Sequence, residues 1–338
     1  MQTNNRRPTR RQMGLALAAS LLPVAGSTPA QAQSQAQPAP WPQRPVKLLL
    51  SQPAGSGPDN VARLLAERLS RQWGQAVVVE NKPGGQNTIG AQAAARSPAD
   101  GHHFYFGTTA ALVSNVFLFK QLPYDPLKDF VPVAFVARSP FAVLVDSRSP
   151  IQTLDDLLAR AKAEPGKVAL ANEGPRTFSG MVSRLLAARA GVDLRQVPYA
   201  SVGVAVQDTL GGHVDVLVAD LASTAALARQ GRLRVLATSG AQRVAGWPDV
   251  PALAERLPGF EMIGWFAVVA PAGTPADAVQ RANRDINQQL ADADLAQRIA
   301  TIGPLVESSA TPEQVGEFLR SEHKRWAQIS RDIGLLPE

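Results

Sequence analysis

From Val46 onward the chain alternates short apolar runs, rich in β-branched residues, with longer stretches whose apolar residues recur at helical spacing. That alternation restricts it to an α/β architecture. The first series reads Val46 to Leu50 then Val61 to Ser70, Val77 to Val79 then Thr88 to Ala95, and Phe104 to Phe106 then Ala110 to Phe119. In the stretch that opens at Pro58, Val61, Leu64, Leu65 and Leu69 form one stripe, while Arg63, Glu67, Arg68 and Arg71 turn to water. The pattern predicts a helix packed on a sheet. A second series of similar size follows: Phe141 to Val145, Leu154 to Ala163, Val168 to Ala171, Met181 to Arg189, Val202 to Leu210, Val214 to Val218, Leu221 to Arg229 and Val235 to Thr238. Each series predicts a mostly parallel sheet with its own core, and a chain of 338 residues, 45% of them hydrophobic, is long enough for both.

Two apolar extended segments, Val131 to Val145 and Met262 to Ala270, lie between the units and are expected to join them. Two crossings bring the helices Ala276 to Leu290 and Pro312 to Ile333 back to the first unit, which gives lobe 1 over residues 45–140 and 267–338 and lobe 2 over 141–266. Two α/β lobes hinged by paired crossover strands make a clamshell, and ligands of such sheets bind beyond the carboxyl ends of the strands. The second crossing, interrupted by Gly264 and ended by Pro271, is too short for a membrane span.

The first 32 residues carry Arg6, Arg7, Arg10 and Arg11 and no acid, then an apolar run from Met13 to Leu22, then Ala30-Gln31-Ala32. This is the pattern of a cleaved export signal, so the mature chain is expected outside the cytoplasm. Arg10-Arg11 partly matches a twin-arginine signal, and the export route is open between the two. Residues 33–44, rich in Gln, Ala and Pro, are expected to form an extended, poorly ordered lead-in. Without residues 1–32 the formal charge of +6 falls to about +2. No basic, aromatic-studded face then remains for nucleic acid. The absence of Cys excludes a disulfide scaffold, a Cys-based zinc site, a thiol nucleophile and a lipid-anchored N-terminal Cys.

The turns after the strands carry the chemistry. Ser51-Gln52-Pro53-Ala54-Gly55-Ser56-Gly57-Pro58-Asp59 joins the first strand to its helix, with Pro58 suited to the first helical position. Its glycines and the helix start suit an anion, with Pro53, Ala54, Gly55 and Ser56 as the seat; a tight turn that holds nothing is the alternative. Asp59 either complements the helix dipole or touches the ligand. The second turn, Glu80 to Gly90, reads as turn architecture with Asn81 bracing a neighbouring loop. Thr108 and Thr109 offer hydroxyls to a ligand or to their own helix start. In the second unit, Asn172-Glu173-Gly174-Pro175-Arg176-Thr177-Phe178-Ser179-Gly180 mirrors the first seat, so two helix starts face a ligand with carboxylates at both ends. Arg176 is either a clamp or a solvated loop cation, and Tyr199 either a cleft wall or a core aromatic. Asp220, between Val214 to Val218 and Leu221 to Arg229, is counted with the site.

Catalysis lacks its parts: His102, His103, His213 and His323 fall outside these turns, and no nucleophile elbow, metal-spaced His pair or carboxylate dyad appears near them. No cofactor or metal is expected.

The landmarks together resemble the Bug family, the tripartite tricarboxylate transporter (TctC-like) periplasmic solute-binding proteins. The resemblance rests on Pro53-Ala54-Gly55 with Asp59 and Ala62-Arg63, Val79-Glu80-Asn81-Lys82-Pro83-Gly84-Gly85 with Ile89-Gly90, Asp100-Gly101, Leu122-Pro123-Tyr124-Asp125-Pro126 and Asp129-Phe130-Val131-Pro132-Val133. Farther on it rests on Val197-Pro198-Tyr199, Gly211-Gly212-His213-Val214-Asp215, Gly231 to Ala237, Pro248-Asp249-Val250-Pro251 and Pro271-Ala272-Gly273-Thr274-Pro275. It spans Pro45 to about Leu336, and the order and spacing of the pieces make it specific. It implies a periplasmic location and a two-lobed periplasmic-binding-protein type II fold that closes over a small carboxylate, often a dicarboxylate or an acidic amino acid; a monomer is expected. The partners it implies are membrane transporter subunits. It further implies that main-chain N–H groups and waters at Pro53 to Asp59 hold one carboxylate, and that Arg176 to Ser179 and the region after Tyr199 read the far end.

Where relatives read Gly-Ser-x-Ser-His, this chain has Arg176-Thr177-Phe178-Ser179-Gly180, and Ala200-Ser201 replaces the usual Lys-Gly. Arg176 would favour a second acidic group and Phe178 a ring or alkyl chain, so a dicarboxylate or aromatic carboxylate is expected. A sensory role, docking on a periplasmic sensor domain, is the alternative use of the same clamshell, and a hydrolase of carboxylate esters the more distant one.

Overall fold

Each strand–helix step in the first half forms because a β-branched run is followed by a capped amphipathic stretch. The computed structural model describes residues 41–332 and 337; the expected export signal over 1–32 and residues 33–40 of the lead-in lie outside them. The strands and helices follow in the order β1 (Val46–Leu50), α1 (Gly57–Trp73), β2 (Val77–Asn81), α2 (Thr88–Ala95) and β3 (His103–Thr108). A π-helical turn, Ala110–Ser114, runs into α3 (Asn115–Leu118). The long β4 (Phe130–Asp146) leads to α4 (Leu154–Ala163), β5 (Ala169–Asn172), α5 (Phe178–Ala190), β6 (Arg195–Pro198), α6 (Val202–Leu210), β7 (Val216–Asp220), α7 (Leu221–Arg229) and β8 (Leu233–Thr238). Then come α8 (Leu253–Arg256), β9 (Ile263–Pro271), α9 (Ala276–Leu290), α10 (Ala293–Thr301), β10 (Leu305–Val306) and α11 (Pro312–Asp332).

The unit strands pair in parallel, β2-β1-β3 in the first half and β6-β5-β7 in the second. The sheet as a whole is mixed rather than mostly parallel, because the connecting strands run against their neighbours. β9 is antiparallel to β3 and β4, and β4 is antiparallel to β7 and β8. The reason is directional: a chain that crosses out on one strand and returns on another traverses the middle in opposite senses. β4 belongs to both halves, pairing with β9 over Phe130 to Pro140 and with β7 and β8 from Phe141 onward. Ile263, Gly264, Trp265 and Phe266, expected in the second lobe, pair instead with β4, and Phe266 also with Thr108 of β3.

The apolar stripe of α1 does as its spacing predicts: Val61, Leu65 and Leu69 are buried against Leu48, Leu50 and Phe104. Each such side chain removed from water contributes about 1.5–3 kcal/mol, enough to fix which face of α1 meets the sheet and hence where its N-terminus points. The end of the lead-in is anchored: the Trp41 indole donates to the Gly101 carbonyl (3.0 Å) and packs edge-on to Trp73. Arg44 pairs with Asp100. Among the described residues no helix is long and apolar enough to cross a membrane, and no cluster of three or more metal-type ligands is present.

Candidate ligand-binding site

The strand ends place the site. Ser56 caps α1, its hydroxyl accepting from the Asp59 N–H (3.4 Å), and Pro58 follows at the first helical turn. The amides of this turn are committed within the protein: Gly55 N–H donates to Asp59 Oδ2 (2.8 Å) and Ser56 N–H to the Pro53 carbonyl (3.2 Å). The Gly57 N–H crosses to the other half and donates to Ser223 Oγ (2.8 Å). Of the seat expected over Pro53 to Asp59, the amides of Gly55, Ser56 and Gly57 are thus engaged within the protein, while Ala54 is exposed.

Asp59 is 1% exposed and faces away from the opening. Its carboxylate accepts from Gly55 N–H, Arg63 Nε (2.9 Å) and Asn81 Nδ2 (2.9 Å). Burial pushes its pKa up, but these hydrogen bonds and the Arg63 charge outweigh burial and hold it below the usual carboxylate range. Asn81 also donates to the Gln52 carbonyl (3.0 Å), so it braces the first turn as its place in the sequence suggested.

In the second half, Thr177 caps α5 by accepting from the Gly180 N–H (3.2 Å). A Cβ at Gly180 would stand 2.0 Å from the Gly174 carbonyl oxygen, so the loop closes over a glycine there. Ser179 Oγ accepts from the Glu173 N–H (3.0 Å) and shares a hydrogen bond with Thr177 Oγ1 (2.9 Å). Asp220 caps α7: its Oδ1 accepts from the Ala222 N–H (2.8 Å) and its Oδ2 from Ser139 Oγ (2.6 Å). Burial raises its pKa to about 6 in spite of these bonds.

Between the halves lies a cavity of about 510 Å³. Of the residues predicted for the site, Pro53, Ser56, Thr108, Thr109, Thr177, Phe178 and Asp220 line it. Six others do not. Ala54 and Gly55 are exposed but not among the wall residues, and Asp59 and Ser179 are tied up as braces. Tyr199 donates its hydroxyl to Asp208 Oδ2 (2.7 Å) on α6 and packs on the second-half core. The Arg176 guanidinium lies over the Phe119 ring, 5.4 Å from its centroid, and is no part of the wall, which removes the support for a second acidic group.

The structure adds wall residues that sequence reasoning passed over. The turn Pro83 to Asn87 supplies Gln86 and Asn87, both at positive φ, and Gln52 reaches across to Asn87 Oδ1 (3.1 Å) and Thr108 Oγ1 (3.1 Å). The glycines of that turn were its signal. Phe141 and Trp265 join Phe178 as the apolar face, with Phe141 and Phe178 4.8 Å apart between centroids. The Trp265 indole is held from behind by Glu322 (3.0 Å), and its amide donates to Thr109 Oγ1 (2.9 Å). Glu173 follows directly on β5 and also lines the wall. Burial, and then the nearby Asp220 charge, raise its pKa to about 7. The histidines stay outside; His323 is half-buried against the Leu112 carbonyl (2.8 Å).

Five helical starts thus meet the opening, at Ser56, Thr109, Thr177, Ser201 and Asp220, each presenting the positive end of its dipole. The sequence model of the family described as "Tripartite tricarboxylate transporter family receptor" matches residues 61–335. The chain is 35% identical over 298 residues to protein BugT of Bordetella pertussis, covering 87% of this chain and 90% of BugT. The structure of Rpa4515 of R. palustris with adipate superposes with a TM-score of 0.84 at 29% identity, over 88% of this chain and all of that one. MatC from Rhodopseudomonas palustris with bound malate gives 0.78 at 28% identity, over 86% and 99%.

Proposed function

The chain belongs to the tripartite tricarboxylate transporter receptor family, the Bug-type periplasmic solute-binding proteins, and from that premise we propose that it captures a small organic carboxylate in the interlobe cavity and delivers it to membrane transporter subunits. The observation that carries this reading is the convergence of helical starts from both halves on one cavity. A carboxylate placed there gains from dipoles at each end of the clamshell, and a ligand touching both halves stabilises the closed arrangement by its differential affinity. The starts at Ser56 and Thr109 suit the carboxylate through the positive ends of their dipoles, the amides of Gly55, Ser56 and Gly57 being engaged within the protein. Phe141, Phe178 and Trp265 suit an apolar body. Binding of adipate by Rpa4515 and of malate by MatC supports the carboxylate class.

Calorimetric titration of the purified protein tests it. A panel of adipate, malate, hexanoate, benzoate and their amides is expected to show binding by carboxylates, with the amide of any binder at least tenfold weaker. Equal binding of acid and amide would remove the carboxylate from the argument. Co-purification with transporter membrane subunits tests the delivery step.

A further inference from the structure

The charged and amide groups on the cavity wall are matched to the wrong partner for a dianion. Among the lining residues there is no Lys, Arg or His, while two carboxylates, Glu173 and Asp220, stand on the second-half wall. Asp220 has a structural task, since it caps α7 and is tied to Ser139. Glu173 has none: its backbone amide is used by Ser179, but no described residue hydrogen-bonds its carboxylate. The amide oxygens of two further wall residues, Gln52 Oε1 and Gln86 Oε1, are buried without a partner. Leaving buried acceptors unmatched costs about as much as a lost hydrogen bond each, so a wall built this way is complete only when the occupant brings donors. Arg176, which would have supplied the opposite charge, is held over Phe119.

We infer that Glu173, backed by Asp220, is a subsite for the positively charged nitrogen of the ligand, so that the solute is an amino-carboxylate zwitterion. The inference rests on the carboxylate reading above and narrows it. The helical starts of the first half take the carboxylate, Glu173 takes the ammonium, and Gln52 and Gln86 accept remaining N–H groups. A dicarboxylate would set its second negative charge against Glu173.

A matched six-carbon series separates the outcomes: adipate, hexanoate, 6-aminohexanoate, 2-aminohexanoate and hexylamine, titrated into the wild-type protein and Glu173→Gln. One of the two amino acids is expected to bind at least tenfold more tightly than hexanoate and adipate. In Glu173→Gln that advantage should fall to within about twofold, with hexanoate affinity retained. Because the Glu173 side chain holds no other described part of the protein and burial disfavours its charge, the variant should melt no lower than the wild type.

The pH profile of the wild type is a second measurement that needs no variant. Asp220 is the titrating group beside Glu173 among the described residues, while the carboxylate and ammonium of the ligands stay charged throughout this range. A cation favours the ionised carboxylate, so affinity for the amino acid should rise between about pH 6 and 8, whereas a carboxylate accepting from protonated Glu173 would bind better at the acidic end. Adipate as the tightest ligand, or an unchanged ranking in Glu173→Gln, overturns the inference and leaves the carboxylate reading standing. Hexylamine binding as well as the amino acids, or no binding by the series together with the acids named above, overturns both.

Discussion

Asp59 ties three segments that are far apart in sequence: the seat loop through Gly55, its own helix through Arg63, and the end of β2 through Asn81. Its pKa is depressed, so folding favours the ionised form. The stabilisation is complete above the ordinary value of 3.8 and is lost as pH falls from there through the folded-state value. Wild-type melting temperature should therefore drop more steeply than that of Asp59→Asn between about pH 4 and 2, and at neutral pH the variant should be less stable by about 1–3 kcal/mol. Parallel acid melting curves would contradict this. The sequence left Asp59 between two roles, dipole complement and ligand contact, and neither is the tie to Asn81, because a single sequence does not say which distant turn packs alongside. Arg176 and Glu173 make the same point from the opposite side. A cation in an anion site draws attention, yet three residues of loop and an aromatic neighbour suffice to turn it away, while the acid next to the strand end is the one that faces the cavity.

Between elements, the start of α1 lies directly against the start of α7. Gly57 has ordinary helical backbone geometry, so Ala is acceptable to α1 itself, but an added Cβ would stand 2.4 Å from Asp220 Oδ1 and 3.0 Å from the Ala222 methyl. Asp220 cannot yield, being fixed by Ala222 and Ser139. Gly57→Ala is thus a wedge felt only when the halves meet. It should melt within about 2 °C of the wild type and bind any carboxylate ligand at least tenfold more weakly, about 1.4 kcal/mol. Wild-type affinity in calorimetry would mean that ligand binding does not need this contact. At this scale the sequence was most legible where period and caps agree. α2 and α7 begin and end where their apolar spacing placed them, and α1 differs by a turn at its end. The stretch from Ala110 to Phe119, expected as one helix, opens with a π-helical turn, a register change that spacing does not encode. α10 went unread because it buries only Leu295 and Ile299, too few positions to establish a period, although Asp292 caps it.

For the whole molecule, the two crossings were visible as apolar extended runs, but their antiparallel pairing and the fact that β4 alone serves both sheets were not, since alternation of strand and helix says nothing about the direction of a return. That shared strand determines how the halves can move. Relative rotation has to be taken up where β4 changes partners at Pro140 and Phe141 and where the chain returns past Ser239. There Ser239 Oγ accepts from the Phe141 N–H (2.9 Å) and donates to the Met262 carbonyl (2.5 Å), binding the two crossings together. Across the mouth the halves meet through the Gly57–Ser223 hydrogen bond, which an opened clamshell loses while gaining water in its place. Removing the hydroxyl in Ser223→Ala leaves the Gly57 N–H unmatched only in the closed arrangement, at a cost of about 1 kcal/mol, or roughly fivefold. The unliganded variant should melt like the wild type, bind ligand about fivefold more weakly, and show in solution scattering a radius of gyration that shrinks on ligand addition as the wild type's does. A wild-type radius that does not change with saturating ligand would remove hinge closure from the mechanism, and the cavity would then have to fill by side-chain motion at its rim.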